Sequence, residues 1–150
     1  MYKHILIPTD GSVLSTTAVT EGLKFAKSIN AKVTCVHVLP HFHALQEVDE
    51  GLRASIDRLT ESLHKPDAEE HARKVLAPVS ALAENQGVAC ATMQVTHNLP
   101  YQAIIDTAKN SGCDLILMAS HGRTGVEAVL LGSETTKVLT HTKIPVLVVR

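Results

Sequence analysis

The 150 residues carry 14 lysines and arginines against 15 aspartates and glutamates, a formal charge of -1 at pH 7, with 45% hydrophobic and 19% charged residues. That length suits one domain, residues 1–150, with room for a full hydrophobic core, and the near-neutral balance leaves no basic footprint for nucleic acid or an anionic membrane. No apolar run reaches the roughly 18 residues needed to cross a bilayer, and the start, MYKHILIPTDGS, lacks the basic region, apolar stretch and cleavage site of a secretory signal, so a cytoplasmic location is expected.

The first segment, HILIPTD, is a short apolar run ending in proline and aspartate, which reads as a buried strand feeding a turn. From Ser12, a plausible N-cap, Ala18, Leu23, Phe25, Ala26 and Ile29 fall at near-helical spacing. AKVTCVHVLP is a second, β-branched strand closed by Pro40. Residues 41–66 are polar and then helical in tendency, and are the one candidate for a mobile excursion. PDAEEHARKVLAPVSALAENQG reads as a stronger helix with Pro66 at its start and Gly87 at its end. VACATMQVT is a third strand, and LPYQAIIDTAKNSG a helix with Pro100 early and Gly112 late. DLILMAS is a fourth strand, LLGSETTKVLTHT a helix and PVLVVR a final strand.

Strands therefore alternate with helices, and each strand is short and apolar enough to be covered on both faces. This is the pattern of a doubly wound parallel α/β domain. Ligands of such sheets sit outside the carboxyl ends of the strands, where strand order reverses. That directs attention to PTDGS, VLP, THNLP and ASHG, the residues just after the first four strands.

The stretch LILMASHGRTGVEAVLLGSET, residues 115–135, runs from an apolar strand into three glycines. No Gly-Lys-[Ser/Thr] occurs, so it is not a P-loop. The first turn offers only Gly11, so the dinucleotide fingerprint fails as well. The chemistry of a phosphate cradle survives. Ala119, Ser120, His121 and Gly122 are mostly small residues that let the backbone approach a ligand. Gly132 and Ser133 sit where a helix begins, and a helix amino end offers free N–H groups and a favourable dipole. Equally, Gly122 and Gly125 could only make turns, with Ser133 a cap. Asp10 has two readings too: a carboxylate accepting from ribose hydroxyls or an exocyclic amine, or an Asx turn satisfying the local backbone.

Nine histidines are present. His37, His41 and His43 bracket the end of the second strand, but no carboxylate or cysteine stands at ligand spacing beside them, and solvated loop histidines are the expected reading. His121 could meet a phosphate when protonated or shape its turn, and Arg123 could reach a phosphate or face solvent. Ser12, Ser120 and Ser133 lack the G-x-S-x-G elbow of a hydrolase. Glu69 and Glu70 read as a solvated helix face. Aromatic residues make up 3% with no tryptophan, which disfavours a stacking platform for single strands. Cys35, Cys90 and Cys113 form no CxxC pair and read as reduced, mostly buried hydrophobes.

HILIPTDGS, DLILMASHGRTGVEAVLLGS and VLTHTKIPVLVVR resemble the universal stress protein family, and the match runs over essentially the whole chain. Nucleotide-binding members carry G-x-x-G, nine residues, then G-[ST]. Gly122 and Gly132-Ser133 fit that spacing, Ala119 stands at the first glycine, and Gly125 lies in the gap. The resemblance implies a three-layer, Rossmann-like fold of the adenine nucleotide alpha hydrolase-like kind, with strand order 3-2-1-4-5. It implies ATP or AMP as ligand, with Pro8, Thr9 and Asp10 at the adenosine end, Val38 meeting adenine through its backbone and Met118 packing nearby. Ser120, His121, Gly122, Gly132, Ser133, Glu134 and Thr135 would surround the phosphates, with the Glu134 side chain turned away. Asp10 could recruit Mg²⁺ through phosphate oxygens. The resemblance further implies a homodimer through the last strand, residues 145–149, which would cover an apolar sheet edge. The expected role is nucleotide-dependent regulation or stress resistance, acting through protein partners. The alternatives are a slow ATPase or a phosphate- or adenylate-transferring enzyme, and a dimeric scaffold with a vestigial pocket.

Overall fold

The computed structural model describes residues 1–39, 50–121 and 131–150, with residues 50–66 described by backbone alone. In chain order the elements are β1 (His4–Pro8), α1 (Val13–Ser28), β2 (Lys32–Leu39), α2 (Glu50–Gln86), β3 (Cys90–Thr96), α3 (Pro100–Asn110), β4 (Leu115–Ala119), α4 (Ser133–His141) and β5 (Val146–Val149). The strands form one sheet in the order β3-β2-β1-β4-β5, and every neighbouring pair is parallel. This is the expected doubly wound sheet.

Alternation along the strands builds two cores. Ile5, Ile7, Val33, Cys35, Leu115 and Leu117 point to one face, against Ala18, Val19, Leu23 and Ala26 of α1 and Leu76, Val79 and Ala83 of α2. Leu6, Val36, Ile116 and Met118 point to the other, against Ile104, Ile105 and Ala108 of α3 and Val138 of α4. Successive strand side chains take opposite faces, so an unbroken apolar run is what a strand sandwiched between two helical layers requires. Only the inner strands meet that description. β3 is exposed along most of its length and β5 is half-buried, because each has a neighbour on one side only. On the first face α1 lies close to the sheet at Gly22, where a Cβ would come within 2.5 Å of Ile7 Cδ1 and 3.2 Å of Leu117 Cδ2. Glycine there brings the helix axis nearer the strands.

One expected boundary is corrected. Pro66 does not start a helix but lies inside α2, which begins at Glu50 and runs for 37 residues. Proline removes one N–H from a helix interior, at a cost near 3 kcal/mol, and for that reason it usually marks a first turn. Here good helix formers on both sides, from Leu52 to Ala54 and from Ala68 to Ala72, carry the helix through it.

The amino ends of β1 and β4 are fastened by Asp114. Its carboxylate accepts from the backbone N–H of Lys3 (3.1 and 2.9 Å) and of His4 (3.0 Å). Desolvation pulls the Asp114 carboxyl upward, but these amide donors and the nearby His4 together hold it below the usual carboxylate range. Next to it His4 is buried, with Nε2 2.8 Å from Thr34 Oγ1. Burial, aided by the charge of Lys32, lowers the imidazole pKa from its ordinary 6.5, against smaller opposing effects of Asp114 and the Ser111 backbone. A folded-state pKa below the unfolded one means stability that is complete above pH 6.5 and is lost as pH falls through the lower, folded value. Urea melts of wild type and His4→Gln across that range should show a shallower acid decline in the variant; parallel curves would remove His4 as the cause.

Candidate functional site

Strand order reverses between β1 and β4, which pair directly. Their carboxyl ends therefore open the crevice where such folds bind ligands. Two loops meet there: Thr9–Ser12 after β1, and Ser120–His121 after β4 with the start of α4 beside it.

The first loop is tightly determined. Thr9 N–H donates to Val36 O at 2.9 Å, prolonging the ladder with β2 by one residue. The Thr9 hydroxyl lies 3.0 Å from Ser15 Oγ, and Thr9 is buried. His37 Nδ1 is 2.8 Å from Thr9 O. Asp10 Oδ1 accepts from Ser12 N–H at 2.9 Å, an Asx turn. One carboxylate oxygen thus does the local work that the simpler sequence reading expected. Ser12 Oγ in turn accepts from Ser15 N–H at 3.2 Å and caps α1.

The second loop is held equally firmly. Ser120 N–H donates to Val149 O (2.8 Å) and Gly132 N–H to Ser120 O (2.7 Å), so the residue before α4 is tied to the end of β4. Thr135 Oγ1 donates to Ala119 O at 3.0 Å from a buried position. A Cβ on Gly132 would stand 3.0 Å from His121 Cα, 3.1 Å from His121 Cβ and 3.3 Å from Ser120 O. The φ of Gly132 is -67°, which any residue adopts, so glycine serves close approach here and not backbone conformation. Ser120 is buried, with its hydroxyl 3.2 Å from His121 Nδ1, while Ser133 is exposed.

Among the helices that start at this edge, α1, α3 and α4 differ in how their first N–H groups are met. α1 has Ser12. α3 starts with Pro100, and its Tyr101 N–H is taken at 2.8 Å by Glu134 Oε2 from α4. α4 begins after Gly132 with no side-chain cap. The first helical bond returns from Thr136 N–H to Gly132 O, so the amides of Ser133, Glu134 and Thr135 precede it and have no partner inside the helix. Glu134 would be the natural residue to fold back over them, yet its carboxylate reaches α3 and Lys137 Nζ (2.9 Å) instead. Amides at a helix amino end with no partner inside the helix suit an anion.

The other residues expected at the site lie at or near the strand ends. Pro8 is half-buried at the end of β1. Val38, near the end of β2, packs with Val95 and Tyr101 against the α3-side core, where Met118 is buried. Gly122, Arg123 and Gly125 lie outside the described residues, as do His41 and His43.

His37 departs from the solvated-histidine expectation. It is 5% exposed within β2, and its ring lies 5.5 Å from that of His71 on α2, tilted by 58°. Strand alternation was the available signal, since His37 shares a face with Val33 and Cys35; nothing in the spacing pointed to His71. The carboxylate pair does face solvent, with Glu69 exposed and Glu70 paired with Arg73 and Lys74. The three thiols are free, with Cys35 and Cys113 buried and Cys90 partly so. Burial raises all three, Cys113 to about 11, which keeps them from the thiolate form that reacts.

The family model described as "Universal stress protein family" matches residues 1–150. The chain belongs to the universal stress protein family. Universal stress protein MJ0531 of Methanocaldococcus jannaschii is 33% identical over 150 residues, spanning 100% of this chain and 83% of the relative. MJ0577 of the same organism is 32% identical over 159 residues, spanning 100% of this chain and 96% of the relative. The solved structure of MJ0577 superposes with a TM-score of 0.79 at 31% identity, covering 99% of this chain and 96% of that one. Three solved universal stress proteins share the fold at lower identity. One is in complex with cAMP (24%, TM-score 0.69). One from Archaeoglobus fulgidus is in complex with dAMP (15%, 0.66), and one from Arabidopsis thaliana has AMP bound (15%, 0.65).

Ala119, which the sequence resemblance sets at the first glycine of the nucleotide motif, is the last residue of β4 and pairs with Val149. Among the described non-glycine residues only Asn30 has a positive φ. The backbone at position 119 therefore has no need of glycine, and the methyl group joins the α1-side core.

Proposed function

We propose that this universal stress protein binds ATP or AMP at the β1/β4 crevice and acts as a nucleotide-dependent regulator. The carrying observation is the uncapped amino end of α4, set against the end of β4 by a glycine that leaves no room for a side chain. The adenine nucleotides held by three proteins of the same fold agree with that choice of ligand.

In this reading Pro8, Thr9 and Asp10 line the adenosine end, Val38 meets adenine through its backbone and Met118 packs nearby. The phosphates lie among Ala119, Ser120, His121, Gly122, Arg123, Gly132, Ser133, Glu134 and Thr135. The hydroxyls of Thr9 and Thr135 are engaged within the fold, so these residues serve through their backbones. Asp10 would recruit Mg²⁺ through the phosphate oxygens of ATP. The protein would work in the cytoplasm as a homodimer joined along residues 145–149, where β5 is a sheet edge and Leu147 is 43% exposed. Regulatory protein partners would read its nucleotide state.

Thermal melts with ATP and AMP test the reading. At a hundredfold excess over Kd, a ligand of the folded state adds about 2.7 kcal/mol, or roughly 5–10 °C for a chain of this size. No rise with either nucleotide at millimolar concentration would sink the proposal. Binding is expected without phosphate release; release above background would move the assignment to an ATPase.

A further inference from the structure

We infer that His37 is a positioning residue for the adenosine end of the crevice, holding the Thr9 carbonyl so that the following turn presents Asp10 in one orientation. The inference rests on the nucleotide-binding reading above. A carbonyl oxygen only accepts, so the 2.8 Å contact from His37 Nδ1 to Thr9 O places a proton on Nδ1. That carbonyl belongs to the peptide plane whose N–H is Asp10's. Holding it fixes the rotation that aims Asp10, before the Asx turn to Ser12 adds its own restraint. β2 therefore grips Thr9 from both sides: Val36 O accepts its N–H at 2.9 Å and His37 takes its carbonyl. The bond spans 28 positions and is buried, so tertiary structure and not local turn chemistry sets it. The His71 ring on α2, 5.5 Å away, limits how far the imidazole turns. A leucine would fill the same space against Val33 and Cys35, but it would offer no donor.

Two substitutions separate the donor from the bulk. His37→Leu keeps the volume and removes the N–H, whereas His37→Asn places an amide nitrogen where Nδ1 was. Calorimetric titration should show His37→Leu weakened about tenfold for adenosine, AMP and ATP alike, with His37→Asn within about threefold of wild type. Equal affinity in wild type and His37→Leu, or equal loss in both variants, would overturn the inference. Should His37→Leu fail to fold, His37→Gln replaces it, since its amide nitrogen lies where Nε2 was and misses the carbonyl. A readout without nucleotide keeps the two claims apart. Amide hydrogen exchange at Asp10, Gly11 and Ser12 should quicken in His37→Leu and return towards wild type in His37→Asn, and ¹⁵N shifts of wild type should show His37 protonated at Nδ1. If wild type binds no nucleotide, the functional reading fails, and unchanged exchange in His37→Leu separately overturns the role given to His37.

Discussion

Gly132→Val is expected to abolish the nucleotide-dependent rise in melting temperature while leaving the chain folded. A side chain at 132 meets His121 Cα at 3.0 Å and Ser120 O at 3.3 Å, which are backbone atoms and cannot rotate away. α4 must move off β4, stretching the 2.7 Å bond from Gly132 N–H to Ser120 O and shifting the amides of Ser133, Glu134 and Thr135 together. The extended φ and ψ of Gly132, -67° and 159°, accept valine without strain, so the loss of stability is limited to about 1–2 kcal/mol of overpacking. Affinity for AMP or ATP should fall by a hundredfold or so, because several phosphate contacts are displaced at once. Titration calorimetry beside a urea melt gives both numbers, and wild-type affinity in Gly132→Val would place the phosphates elsewhere.

Leu6→Ala should be the most damaging single truncation of the core. Leu6 is fully buried on the middle strand of the sheet, between Thr34 of β2 and Ile116 of β4. A loss of about 3 kcal/mol is expected, or roughly 6–12 °C in melting temperature, out of a total stability near 5–15 kcal/mol. Leu147→Ala makes the comparison informative. At 43% exposure it should cost a monomer about 1 kcal/mol, well below Leu6→Ala. In a homodimer joined along β5 it should instead weaken the pair, making the melting temperature fall on dilution. An unchanged mass and melting curve for Leu147→Ala would argue against that interface.

Much of the architecture could be read from the chain because burial on two faces writes itself as unbroken apolar runs. HILIP and LILMA form β1 and β4, two of the three inner strands. That signal fades where double-sided burial ends. β3 reads as apolar as its neighbours, yet an edge strand needs burial on only part of its surface. Pro66 looked like a helix start because proline costs least there, and nothing local showed that α2 would run through it. The spacing of Gly122 and Gly132 is legible in the sequence, with Gly122 outside the described residues. The purpose of Gly132 is not, since close approach of α4 to His121 depends on how two distant segments pack. Ala119 stands where the resemblance sets a glycine, and the backbone there stays extended to the end of β4. His37 and Glu134 act across 28 and 33 positions, beyond the reach of any pattern within one element.

The reach of Glu134 to Tyr101 has a mechanical meaning. In the proposed reading Glu134 would offer its amide to the crevice, while its carboxylate accepts from the first turn of α3, so one residue would have a hand on each side. A ligand that drew the first turn of α4 inward would pull on α3 through this side chain as well as through the packing between the two helices. Occupancy would then register on the outer surface where Lys137 lies over the Tyr101 ring, at 5.6 Å, and His141 packs beside it. A partner able to sense that ring and its neighbouring charges would be reading the crevice from behind.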